Sequence, residues 1–488
     1  MPLTINRLIN GFACKRAHIG NNSVISGAAY SSRVANPGGI FFAIKGTRHD
    51  GNQYIDQAIG QGAALIVTDD ADSYHAVAAQ GHNVLLVGNA ERAMARLADS
   101  LYDNVAQKLQ LVGVTGTNGK TSTVIMAYHL LNHLGDTAMS GTVYNVVGTD
   151  KEPATMTTPL SLDLLRLFSR MYAAGNRRVV LEVSSHALAR FRAPFPFQVA
   201  ALTNITQDHL DFHHTMAAYE RAKLSLFDYV VPGGTIIVPE AFADHPMVRS
   251  HSGAKRVVTF GGQGDYSIVP GSPQGTLRIQ DPQGETVIAC PFFSHFMRAN
   301  LLVAFIIARS LGREAAGLLQ AAANVSIPGR MERVPGAPWD IYIDYAHTPD
   351  AIHQALTALK ERYAGKRVLV VFGAGGDRDT GKRKLMGRSA CLADIVILTE
   401  DNSRSEEPAD IMADIRQGIT GKQEGTSLFL VPERAAAIGK AFALAAPGDA
   451  VAVLGKGHEA HMEKHGRKVA YNDRRCVEKW LRQKGFAV

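Results

Sequence analysis

The sequence predicts an α/β protein assembled from parallel-sheet domains, and three observations point to it. Short β-branched runs alternate with amphipathic helical stretches along most of the chain, the rhythm of strands joined by crossover helices. A length of 488 residues exceeds one ordinary core, so several domains are expected. Hydrophobic residues make up 46% and charged residues 19%, a balance that supports packed cores rather than disorder.

In chain order the candidate strands are ALIVTD (64–69), NVLLVG (83–88), LVGVTG (111–116), RVVLEV (178–183), VAALTN (199–204), GTIIVP (234–239), RVLVVFG (367–373), ADIVILTE (393–400) and AVAVLG (450–455). Residues 264–292 break the rhythm with Pro/Gly turns between short alternating runs, the pattern of antiparallel hairpins. Two boundaries are expected. One lies in the polar stretch near residues 104–109, and the other at SIPGRMER (326–333), where Pro328-Gly329 should interrupt a helix. They divide the chain into a small α/β domain (1–106), a central parallel-sheet domain (107–328) and a C-terminal α/β domain (329–488).

Composition excludes several classes. The net charge of +7 is modest and the basic residues are scattered, unlike a nucleic-acid footprint. The four cysteines, Cys14, Cys290, Cys391 and Cys476, form no CxxC pair, which points to a reducing cytoplasm rather than a disulfide framework or zinc site. The first residues carry no apolar signal-peptide core, and the longest apolar run, LLVAFIIA (301–308), is about half a membrane span.

The sharpest motif is GVTGTNGKTS (113–122). The usual phosphate loop, G-x-x-x-x-G-K-[ST], would need glycine at position 114, which is Val. Even so, a buried strand leads in and an apolar-periodic helix leads out, the setting in which backbone N–H groups and a helix N-terminus converge on an anion. Lys120 would neutralise phosphate oxygens and the Thr121 hydroxyl would ligate Mg2+. In LEVSSHAL (181–188), Glu182 and Ser184 fall at the end of another strand, the ligand-binding edge of an open α/β sheet. TNITQDHLDFHH (203–214) crowds two Asp and three His into a short turn, fit for a metal or phosphate site or for an exposed polar turn. YERAKLSLF (219–227) sets Tyr219, Lys223 and Phe227 on one helix face, where a lone Lys is ordinarily solvated. DYAHTPDA (344–351), GAGGDRDTGKR (373–383), DNSR (401–404) and GKGHE (455–459) all trail strands of the last domain and suggest one binding face.

Together these motifs, in this order from about residue 24 to 480, resemble the Mur ligase family of peptidoglycan synthesis, and within it the UDP-N-acetylmuramoyl-tripeptide synthetase (MurE) type. The family's loop is G-T-x-G-K-[ST], which Gly116 to Thr121 satisfy without a glycine at 114. The resemblance implies a uridine-nucleotide domain, a central P-loop-type ATPase and a Rossmann-like amino-acid domain. It implies an ATP-dependent ligase that phosphorylates the carboxylate of UDP-MurNAc-L-Ala-D-Glu, after which the amine of a free amino acid attacks the acyl phosphate. A cytoplasmic monomer is expected, with no nucleic-acid partner and no membrane insertion.

By the same resemblance Lys120, Glu182, His209 and Lys223 are the catalytic set, with Thr121, Glu182, His209 and a carbamylated Lys223 holding Mg2+. Gly116, Thr117, Asn118, Gly119, Lys120, Thr121 and Ser122, with Asn300, Arg330 and Asp344, match the ATP site. Tyr30, Ser32, Thr47, Arg48, His49, Thr157, Thr158, Ser184, Arg190 and Arg192 match the UDP-MurNAc-dipeptide site. Arg383, Asp401, Asn402, Ser403, Arg404, Gly455 and Glu459 match the diaminopimelate site. Three departures stand out: DNSR where diaminopimelate-adding enzymes carry DNPR, Ser31-Ser32-Arg33 in place of D-S-R, and Arg190 where some relatives carry Gln. Meso-diaminopimelate is the expected amino acid, with L-lysine, another amino acid or a related acceptor of a natural-product pathway as alternatives. A folate-type ligase would lack the uridine domain, and a non-catalytic nucleotide binder would not need Lys120, Glu182, His209 and Lys223 intact.

Overall fold

The computed structural model describes residues 2–46, 49–132 and 135–486. Three large sheets follow one another along the chain. The first has five strands in the order Arg16–His18, Val84–Leu86, Leu65–Thr68, Gly39–Ala43, Gly27–Ala29, parallel except at the Arg16–His18 edge. The second has eight strands, in the order Arg256–Phe260, Val230–Pro239, Phe197–Leu202, Gln110–Thr115, Arg178–Glu182, Thr137–Ser140, Tyr144–Val147, Asp150–Pro153. Its first six are parallel and the last two turn back antiparallel. The third has six, in the order Glu332–Val334, Asp340–Asp344, Ala450–Leu454, Val368–Phe372, Ile395–Leu398, Leu428–Leu430, parallel but for the first. Strands such as Val368–Phe372 and Ala450–Leu454 are buried at every position, because helices cover both faces of a parallel sheet.

One core spans the first sheet's helices and a face of the second: Met94, Leu97 and Ala98 pack with Leu164, Leu165 and Phe168. The opposite face of the central sheet buries helices Lys120–Leu131 and His295–Ser310. A three-stranded antiparallel sheet, Ser267–Ile268, Thr276–Asp281 and Gly284–Ala289, lies beside the latter helix, as the turn pattern predicted. Among the described residues no helix is long and apolar enough to cross a membrane.

Two local expectations are corrected. Pro328-Gly329 interrupt no helix; helix His295–Ser310 already ends at Leu311, followed by Gly312 at φ +80°, and residues 319–330 run as turns. Tyr219 and Lys223 share helix Met216–Leu224, but Phe227 lies in the 3-10 turn Ser225–Tyr229 that follows. Buried apolar neighbours tighten the chain there, and all three side chains are buried.

Candidate active site

Strand Gln110–Thr115 has its crossover neighbours on opposite sides, Arg178–Glu182 and Phe197–Leu202. Loops leaving the three strands therefore meet at one point, the place where open α/β sheets bind ligands. The first of them is residues 116–119. Gly116 (φ +148°) and Gly119 (φ +86°) adopt conformations that favour glycine, and each backs onto a side chain. A Cβ on Gly116 would meet Thr203 Oγ1 at 1.8 Å, and one on Gly119 would meet Asn300 Oδ1 at 2.3 Å. The loop is tied down by Thr117 N–H donating to Asn204 O and Asn118 N–H to Asn204 Oδ1, both at 2.9 Å. The N–H groups of Gly119, Lys120, Thr121 and Ser122 have no protein acceptor among the described residues, so the helix presents its first-turn donors to the space above.

Lys120 curls over this loop and donates to the carbonyls of Gly116 and Thr117, each at 3.0 Å. Thr121 Oγ1 lies 3.1 Å from both oxygens of Glu182, which also accepts from the N–H and hydroxyl of Thr142 at 3.0 and 2.9 Å. Lys223 is almost wholly buried and donates to Gly116 O at 2.6 Å, its amine 4.4 Å from the Tyr219 ring centre. Burial, with Lys120 nearby, pushes the Lys223 pKa well below its ordinary value. Burial also lowers Lys120, against the pull of Glu182 and Asp208.

In the His-rich turn, His209 stands at φ +54° with Nε2 3.4 Å from Asp208 Oδ2. Desolvation brings the His209 pKa down to about 3 against the pull of Asp208, with His186, Lys120 and His347 adding to the fall. Lys382, with His209 and His347 beside it, holds the Asp208 carboxyl well below the usual range despite its burial. The imidazole is thus neutral and the carboxylate charged at neutral pH. His213 is buried, 3.1 Å from Ser185 Oγ, and is pushed down to about 4 by desolvation.

The C-terminal sheet closes the other wall. Arg330 stacks 4.4 Å from the Tyr345 ring centre and places one nitrogen 3.4 Å from Thr121 Oγ1. Asp344 accepts from the N–H groups of Met331 and Ala346 at 2.6 and 2.7 Å, and desolvation raises its pKa. Lys382 Nζ lies 3.5 Å from Asp208, and Asn118 Nδ2 donates to Asp350 at 3.0 Å. Between the walls is a cavity of about 690 Å³.

That cavity gathers most of the expected residues: Thr117 to Ser122, Thr157, Thr158, Glu182, Ser184, Arg190, Arg192, His209, Asn300, Arg330 and Asp344 all line it. Lys223 sits behind the loop, against Gly116 at its start. Thr158 donates to Glu182 O at 2.8 Å, and Ser184 caps the helix Ser185–Ala189. Arg190 bridges to the first sheet's body, 3.0 Å from Glu91 and 2.9 Å from Lys45 O. Arg192 Nε is buried without a hydrogen-bond partner.

Tyr30, Ser32 and His49, expected at the nucleotide end, are not among the residues lining this cavity. Tyr30 donates to Asp163 at 2.6 Å, and burial raises its pKa to about 12. Ser32 donates to Gln57 at 2.8 Å, and His49 is exposed. Thr47 and Arg48 lie outside the described residues.

Asp401, Asn402, Ser403, Arg404, Gly455 and Glu459 form a third cluster. Buried Lys456 ties Asn402 Oδ1 (3.1 Å) to Glu459 (2.6 Å), and a Cβ on Gly455 (φ +109°) would lie 2.6 Å from Asp401. Ser403 Oγ is buried and lacks a partner. Arg383 departs from the expected arrangement. Its guanidinium is buried and held by Glu406 (2.8 Å) and Asp414 (3.0 Å), with Nε buried and unpartnered, and it does not line the cavity. Helical periodicity explains this: on helix Gly381–Ala390, Arg383 turns toward helix Pro408–Arg416. Arg378, in the loop before it, lines the cavity instead, and Asp208, His186 and His347 line it too. The sequence held these four inside motifs without ranking them above their neighbours. Among the described residues no three His, Cys, Asp or Glu side chains form a metal cage.

Comparison with known proteins matches this geometry. Residues 24–102 match the domain described as Mur ligase family, catalytic domain; residues 114–308 match the Mur ligase middle domain; residues 329–457 match the Mur ligase glutamate ligase domain. A curated relative from Caldanaerobacter subterraneus subsp. tengcongensis, named UDP-N-acetylmuramoyl-L-alanyl-D-glutamate--2,6-diaminopimelate ligase, is 40% identical across 95% of this chain and 96% of its own. A protein of the same name from Gloeobacter violaceus is 38% identical across 92% of each. A solved structure of a ligase of that name superposes with a TM-score of 0.68 at 27% identity over 100% of both chains. The MurF ligase from Thermotoga maritima in complex with ADP shares the fold, at a TM-score of 0.61 and 20% identity over 94% of this chain and 98% of that one. Three successive domain matches, identity of this degree over nearly the full length and a phosphate loop facing a closing third domain establish that the chain belongs to the Mur ligase family.

Proposed function

We propose that this chain is an ATP-dependent ligase that joins 2,6-diaminopimelate to UDP-MurNAc-L-Ala-D-Glu through an acyl phosphate, a step of peptidoglycan precursor synthesis. The observation that carries the reading is the single cavity lined by the phosphate loop, Glu182, His209, Arg192, Arg330 and Arg378. Phosphoryl transfer between two anions needs positive charge and alignment more than covalent help, and five cationic side chains, Lys120, Arg190, Arg192, Arg330 and Arg378, surround that space.

In this reading the free N–H groups of Gly119 to Ser122 and the Lys120 ammonium hold the phosphates of ATP, and Arg330 reaches them from the third domain. The hydroxyl of Thr121 and the carboxylate of Glu182 are hard oxygen donors side by side, the set that Mg2+ takes together with phosphate oxygens. When bound, that ion neutralises charge as the γ-phosphoryl leaves ATP. Arg192, desolvated and unpaired at Nε, receives the acceptor carboxylate. The acceptor oxygen takes the phosphoryl, the incoming amine attacks the acyl carbon, and phosphate departs as the amide forms.

Lys223 serves as a carbamate. Burial drives its amine toward the neutral form, and a neutral amine adds CO2 to give a carbamate and a proton. The anion so formed would face Lys120, answering the excess of cations behind the loop. Arg378 takes the place first given to Arg383: it flanks Gly375 together with Arg404, whose Nη1 lies 3.0 Å from where a Cβ of Gly375 would be. The two guanidinium groups suit the carboxylates of diaminopimelate.

An ADP-release assay with UDP-MurNAc-L-Ala-D-Glu and a panel including meso-diaminopimelate and L-lysine tests the reading. The expected product has the mass of acceptor plus diaminopimelate less water. Phosphate release that ignores both acceptor and amino acid would overturn it.

A further inference from the structure

We infer that Glu463 sets the selectivity of the amino-acid site by competing with the incoming amino acid for Arg404. This inference rests on the reading of Arg404 as a carboxylate receptor given above. Glu463 lies outside every motif discussed so far, on the antiparallel hairpin His461–Lys464/Arg467–Ala470.

The hairpin is stitched to the DNSR loop residue by residue. Arg404 N–H donates to Glu463 O at 3.0 Å, His465 N–H to Arg404 O at 2.6 Å, and Glu463 N–H to Asn402 Oδ1 at 2.9 Å. Arg404 itself is held at φ +53°, a left-handed conformation that a non-glycine residue adopts only when its surroundings fix it. One guanidinium nitrogen donates to Gly376 O at 2.5 Å. The remaining edge is met by Glu463, whose carboxylate lies 3.3 Å from Nε. The register of the hairpin therefore delivers a carboxylate to the one donor edge a substrate carboxylate would need.

The pair is built to be exchanged. Arg404 is 22% and Glu463 34% exposed in the side chain, so neither is locked in by packing and the carboxylate can swing into water. A diaminopimelate carboxylate that binds Arg404 must displace it. An amino acid ending in an ammonium group meets the opposite situation, since Glu463 then offers it a counter-charge. Glu463 thus weakens diaminopimelate binding and narrows its advantage over a lysine-like amine.

The test measures steady-state kinetics of Glu463→Gln and Glu463→Ala in the full chain, varying meso-diaminopimelate, L-lysine and ATP in turn. The expected result is a KM for diaminopimelate lowered by about three- to fivefold, the scale of releasing one part-exposed ion pair. The KM for ATP stays unchanged and use of L-lysine does not improve. A diaminopimelate KM that holds steady or rises in both variants overturns the inference; a merely structural role for the hairpin would raise it. If the unmodified chain does not use diaminopimelate at all, the failure belongs to the proposed function.

Discussion

Replacing Gly116 with alanine should cripple the phosphate loop, and the structure sets the size of the effect. At φ +148° an L-residue is strained by about 1–3 kcal/mol. The new Cβ would sit 1.8 Å from Thr203 Oγ1, so that hydroxyl must leave, abandoning its 2.6 Å hydrogen bond to Asn118 O. Asn118 O keeps its second donor, Asn204 Nδ2 at 3.0 Å, so the lost bond costs about 0.5–1.5 kcal/mol more. The sum, about 1.5–4.5 kcal/mol, corresponds to a fall in Tm of roughly 3–18 °C for a domain of this size. Because Gly119 and Lys120, just beyond the strained residue, carry the first phosphate-facing amides, ADP binding should weaken about tenfold or more. Thermal melting and calorimetric titration with ADP read both quantities. Thr203→Ala alone loses the hydroxyl's hydrogen bonds, whereas combined with Gly116→Ala it removes the hydroxyl clash and leaves Cβ at a tight 3.1 Å, so the double variant should be about 1 kcal/mol more stable than additivity predicts. Additive effects, or a Gly116→Ala protein that melts and binds ADP like the parent, would refute the steric argument.

Lys223→Ala is expected to abolish ligation, with partial return of activity when short carboxylates are added; persistent activity untouched by carboxylate would exclude the carbamate. Arg378→Ala should raise the KM for diaminopimelate at least about tenfold while leaving the KM for ATP within about twofold. Arg383→Met should instead destabilise the fold by about 1–2 kcal/mol, since it removes the buried partner of part-exposed Glu406 and Asp414; the reverse pattern would restore Arg383 to the substrate site. Buried His213 and half-buried His458, with pKa values pushed down to about 4 and about 3, are neutral when folded and take up protons near pH 6.5 when unfolded. The unfolded state then holds more protons between those limits, so stability rises with pH across that window and is lost on acidification below pH 6.5. Melting curves from pH 7 to 4.5 should show the decline, and His213→Asn should flatten it; an unchanged slope would mean the imidazole is solvated.

The sheets were legible because a strand buried on both faces must be apolar throughout. LVGVTG, RVVLEV and AVAVLG announce themselves in that way. GIFFA at 39–43 is as deeply buried and went unread, since its flanks, Asn36-Pro37-Gly38 and Lys45-Gly46, look like one continuous loop. The edge strands Tyr144–Val147 and Asp150–Pro153 were silent for the opposite reason, as half-exposed hairpins carry little apolar signal.

The phosphate loop was readable for a local reason. Its glycines, lysine and threonine act through their own backbone and a helix that begins within the same ten residues, so adjacency in sequence is adjacency in space. Nothing of that kind links Thr121 to Arg330, Asp208 to Lys382, or Asn118 to Asp350, pairs that meet only because the third sheet closes over the second. The fate of each arginine was likewise decided in three dimensions. Arg378 and Arg383 stand five residues apart in one motif, yet one faces the cavity and the other is sealed between two carboxylates. The chain by itself determined which chemistry was available. Which charges remain unpaired, and so free to bind, depended on desolvation and on counter-charges brought in by distant segments.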